Sequence, residues 1–99
     1  MQMSLGSHSS AAPQRLFDWQ LDVQRLEREA KAAAAASRAD PWTKVEAECS
    51  LDLIEAELVA LSKRDPRQVS DSVIELRSWK ARVERVIRML DALEEADER

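Results

Sequence analysis

Apolar residues recur along this chain at alternating steps of three and four, with charged residues between them. A step averaging 3.6 puts successive apolar side chains on one face of a helix, whereas a half-buried strand needs strict alternation. Leu16, Trp19, Val23, Leu26, Ala30 and Ala33 form a first stripe, and Ala47, Leu51, Ile54, Leu58 and Leu61 a second. Leu76, Trp79, Val83, Val86, Leu90 and Leu93 form the third and most regular. The spacing predicts helices over 14–38, 41–64 and 72–95.

Punctuation residues sharpen these limits. Pro13 suits a first helical turn, where its missing N–H costs no hydrogen bond. Asp40-Pro41 ends the first helix and opens the next, with Asp40 as N-cap and Pro41 at the first helical position. Ser72-x-x-Glu75 has the form of a capping box and opens the third helix, which leaves Asp65 to Asp71 as the connector. Helices joined by short connectors fold back on one another, so residues 13–95 read as an all-α, antiparallel three-helix up-down-up bundle. Residues 1–12, rich in Ser, Gly and Ala, read as a disordered leader in which Gly6-Ser7-His8 has the look of a tag remnant.

A further line on the second helix, Trp42, Val45, Cys49, Leu53 and Ala56, reads as a widening of its core face. A middle helix with two neighbours needs that width, which favours a monomeric bundle over a long dimeric coil. Trp19, Trp42 and Trp79 read as core anchors, one to each helix. The functional alternative sets Trp19 or Trp42 on an exposed docking surface. Cys49 reads as a small buried or half-buried hydrophobe. The run Ala32 to Ala36 either admits a neighbouring helix closely or forms a solvated helix tail, and the acidic end from Glu94 is expected to fray.

Composition narrows the function. A chain of 99 residues with three Trp, one Phe and no Tyr buries a thin seam of core and has little room for an enclosed active site. The formal charge of -4 argues against a general nucleic-acid binder. Charge is also unevenly spread. Between 41 and 66, Lys44, Lys63 and Arg64 face Glu46, Glu48, Asp52, Glu55, Glu57 and Asp65. Between 77 and 88, Arg77, Lys80, Arg82, Arg85 and Arg88 face only Glu84. An acidic second helix beside a basic third follows, and the candidate partner-binding residues are Trp19, Trp42, Arg77, Lys80, Arg85 and Arg88.

No chemistry is written into the chain. His8 and Cys49 each stand alone, and no nucleophile–base pair or metal-ligand spacing occurs, so neither catalysis, nor a cofactor, nor a metal is expected. A lone cysteine forms no intrachain disulfide, which suits a reducing compartment. No apolar run reaches the roughly 18 residues that a membrane span needs, and the first residues lack the apolar core of a signal peptide.

Leu53-Ile54-Glu55-Ala56-Glu57-Leu58, Lys63-Arg64-Asp65-Pro66, Ser70-Asp71-Ser72-Val73-Ile74-Glu75-Leu76-Arg77-Ser78-Trp79 and Arg82-Val83-Glu84-Arg85-Val86 resemble one family. They are similar to the second half of the N-terminal three-helix domain of the syntaxin 6 type of Qc-SNARE, with weaker likeness at Phe17-Asp18-Trp19 and Val23-Gln24. The family's Asp-Pro-Phe opening is absent, and Ala56 stands where an aromatic follows Ile-Glu. The resemblance implies a non-catalytic regulatory domain at the cytoplasmic face of Golgi or endosomal membranes. It would bind a tethering factor or a SNARE helix in vesicle traffic, within a parent protein that carries a membrane anchor. Arg77, Lys80, Arg82 and Val83, with Glu55, also resemble the pattern of a BAG-type co-chaperone domain that grips a chaperone ATPase. A coiled-coil scaffold is the third alternative.

Overall fold

A computed structural model describes residues 11–98, with side chains from 18 to 97. Met1 to Ser10, most of the expected leader, lie outside the described residues, as does the side chain of Leu16. The described residues form three helices, α1 (Ala11–Ala36), α2 (Pro41–Leu61) and α3 (Pro66–Glu98). They pack as the antiparallel up-down-up bundle expected from the sequence. Lys44 near the start of α2 meets Asp91 and Glu94 near the end of α3, while Glu55 further along α2 meets Lys80. α1 lies against both, its Arg25 on Glu46 of α2 and its Glu27 on Arg82 of α3.

Each helix start and stop has a local cause. α1 ends in a Schellman motif, with Arg38 N donating to Ala33 O at 3.0 Å and Ser37 N to Ala34 O at 3.1 Å. Ser37 takes the left-handed position, φ 54°, that glycine usually fills there. Asp40 caps α2 as the sequence predicts. Its Oδ1 accepts from Thr43 N at 3.1 Å, and Thr43 donates its hydroxyl proton to Oδ2 at 2.6 Å, with Glu29 Oε1 at 3.1 Å. Thr43 is buried, and this hydrogen bonding is what makes its burial tolerable.

α3 begins two turns earlier than the Ser72 signal implies. Asp65-Pro66 repeats the device of Asp40-Pro41: Asp65 Oδ1 accepts from Arg67 N at 3.0 Å, and Gln68 N donates to Asp65 O at 3.0 Å. The true connector is residues 62–65, and Ser72 sits half-buried inside a continuous helix. A cap requires a residue just outside the helix, so a Ser-x-x-Glu pattern two turns inside one caps nothing.

The three predicted stripes meet in one core. Val23, Leu26 and Ala30 of α1, Ala47, Ile54 and Leu61 of α2, and Leu76, Trp79, Val83, Val86 and Leu90 of α3 are all buried. Trp19, Ala33, Leu51, Leu58 and Leu93 pack half-buried at its edge. The rest of the alanine run, Ala32 and Ala34 to Ala36, is exposed and forms a solvated helix end.

Other expectations are corrected. The second line of α2 does not join the core: Trp42 is 72% exposed and Leu53 56%, while Val45, Cys49 and Ala56 are exposed too. Residues five apart on a helix lie about 140° apart round the axis, so the line of Trp42 falls nearly opposite that of Ala47. The acidic second helix does lie beside the basic third, with Lys80 on Glu55, and beyond the basic segment the pairing reverses, with Lys44 of α2 on Asp91 and Glu94 of α3. α3 also stays helical through Glu94 and Glu95 to Glu98, with Lys44 Nζ 2.9 Å from Glu94.

Candidate functional site

At the connector end, the first turns of α3 run back along the last turn of α2 and leave a groove of about 530 Å³ between them. Leu58 and Leu61 supply one wall, and Val69 and Val73 the other. Ile74 forms a lip and is 66% exposed. Arg64, Arg77 and Lys80 stand round this apolar floor and give it a basic rim. Lys80 is 3.6 Å from Glu55, so part of its charge is answered within the bundle. Arg64 and Arg77 make no ion pair among the described residues.

The candidate residues divide between this groove and other places. Arg77 and Lys80 line it. Arg85 and Arg88 are exposed further along α3, with Arg85 at a smaller hollow of about 150 Å³ beside Glu27 and Arg82. Trp19 is half-buried at the α1–α2 seam, beside Val23, Leu53 and Ile54. Trp42 stands in solvent at the start of α2, and Trp79 is the one tryptophan fully taken into the core. The structure thus brings together two of the six. Val69 escapes the sequence reading because it falls in the connector drawn over residues 65–71. Arg64, Val73 and Ile74 escape it because they flank that connector, so the opening turns of α3 are not set against the end of α2. The repeated Asp-Pro was the signal that could have found them.

Away from the groove, charged contacts pin the helices. Arg82 holds Glu27 with two hydrogen bonds, Nε to Oε2 at 2.9 Å and Nη2 to Oε1 at 2.6 Å. The Arg82 hydrogen bonds draw the Glu27 carboxyl below the usual glutamate range, against an opposing effect of burial. Lys44 is pushed up, first by its hydrogen bond to Asp91 and then by that to Glu94. Among the described residues no group of three His, Cys, Asp or Glu side chains is placed to hold a metal ion, and no helix is long and apolar enough to cross a membrane. What the arrangement offers is an apolar trough with positive edges, a surface for binding.

No protein-family model, curated protein or solved structure matches this chain. Its likeness to the syntaxin 6 type therefore rests on the quoted residues alone.

Proposed function

We propose that this chain is a non-catalytic protein-interaction domain that seats an amphipathic partner helix in the groove between α2 and α3. The single observation that carries the reading is the open apolar trough of Leu58, Leu61, Val69 and Val73 under a rim of Arg64 and Arg77, which make no ion pair among the described residues. A helix laid there buries its apolar side chains on the trough and sets acidic residues against the rim. The residue resemblance proposes the partner, a SNARE helix or tethering factor acting at the cytoplasmic face of Golgi or endosomal membranes.

The co-chaperone alternative is less well supported. Arg82 is engaged by Glu27, and Val83 is wholly buried, so two residues of that pattern are turned into the bundle.

Calorimetric titration with a synthetic SNARE-motif helix tests the proposal. Ile74→Glu and Arg77→Glu should each weaken binding about tenfold or more while the helical circular dichroism stays unchanged. Binding indifferent to both substitutions would overturn the groove as the site. ATP-sensitive capture of a chaperone ATPase, with no affinity for the SNARE helix, would overturn the trafficking reading instead.

A further inference from the structure

The face of α2 turned away from the core carries Trp42, Val45, Cys49, Leu53, Ala56 and Ala60, all of them exposed. Their steps of three, four, four, three and four repeat at the straight-helix period, so the stripe runs along one side of α2 for about 27 Å. Among the described residues α1 approaches only its edge, where Trp19 lies beside Leu53, and the stripe otherwise stands in solvent. A contiguous row of this kind differs from scattered exposed apolar residues, which are normal on any surface and call for no partner.

The charges beside the stripe decide what can cover it. Glu48 and Asp52 lie along one edge, exposed and without an ion pair among the described residues, and Glu55 continues that edge. Among the described residues Glu55 is answered only by Lys80, at 3.6 Å. No lysine or arginine of α2 flanks the stripe between Val45 and Ala60. Two copies laid stripe to stripe would bring these acidic edges together, which disfavours a symmetric dimer. A membrane with anionic headgroups would be repelled in the same way.

We infer that the α2 stripe is a second docking face, separate from the α2–α3 groove, and that its occupant is a partner's amphipathic helix with an apolar seam edged by lysine or arginine. Such a helix buries its seam on Trp42, Val45 and Leu53 and lays its basic edge on Glu48 and Asp52. The groove asks for an acidic partner and the stripe for a basic one, so the two faces discriminate between ligands by charge while sharing a fold. The inference stands on the stripe and its edge whether or not the groove is occupied.

Fluorescence anisotropy with two labelled helical peptides of about 20 residues, long enough to span the stripe, tests this. Both carry the same leucine seam, one edged by lysine and arginine, the other by glutamate. Measured on the Ile74→Glu chain, whose groove is closed to the acidic helix, the basic peptide should bind at least about tenfold more tightly than the acidic one, and its affinity should fall as salt is raised. Leu53→Glu should abolish that binding, Glu48→Lys with Asp52→Lys should reverse the peptide preference, and Ile74→Glu should leave it intact. With the groove blocked by Ile74→Glu, equal affinity for both peptides, or binding insensitive to a further Leu53→Glu, would overturn the inference. So would a concentration-dependent dimer in sedimentation that Leu53→Glu dissolves, or stripe-dependent adsorption to phosphatidylserine vesicles.

Discussion

Individual residues set the electrostatics of this bundle, and Glu27 shows how. Its carboxyl is lowered chiefly by the hydrogen bonds from Arg82, so the folded state holds the proton less readily than the unfolded chain does. The stabilisation is therefore present above the ordinary glutamate value and is lost as pH falls through the lowered one. Melting temperature should decline more steeply below about pH 4.3 for the parent chain than for Glu27→Gln, which lacks the titrating group. Parallel acid limbs would show that the pair contributes nothing measurable. The contribution is modest, about 1 kcal/mol, because both side chains keep roughly a quarter to a third of their surface in water.

At the scale of elements, the boundaries follow from caps, and only one of the two caps on offer before α3 is used. Asp65 accepts a hydrogen bond from Arg67 N, whereas Ser72 lies two turns inside the helix. Asp65→Ala should cost about 1 kcal/mol, and Ser72→Ala should be neutral or slightly stabilising, since alanine is the better interior helix former. Chemical denaturation of the two variants distinguishes the starts, and a reversed order would restore Ser72 as the cap. The first helical turns of α3 also build the groove, so this boundary has functional weight. Sequence periodicity alone passes over it, because Val69 and Val73 continue the apolar rhythm without an interruption that marks a start.

For the whole molecule, the buried seam carries the stability and the outer apolar stripe does not. Leu90→Ala should cost about 2–5 kcal/mol, as large-to-small changes in a closed core do, while Leu53→Ala should stay under about 1 kcal/mol. Thermal melts check this directly, with about 4–8 °C expected for each kcal/mol in a domain of this size. Similar losses at both positions would mean that the outer stripe is packed. The bundle is built round α3, whose 33 residues lie against both shorter helices and contribute the largest share of the core.

The sequence by itself determined the helices, their antiparallel order and the three inward stripes, because a 3.6 period and short connectors are local properties of the chain. It also held the second Asp-Pro cap, legible once the first is taken as its template. Tertiary structure decided which apolar residues face inward. Trp42, Val45 and Leu53 follow as good a helical rhythm as Ala47, Ile54 and Leu61, yet among the described residues α2 has only two neighbouring helices and both lie on one side of it. Periodicity fixes which residues share a face. Only packing fixes which face is covered, and here that leaves an apolar trough between helices and an apolar stripe in water.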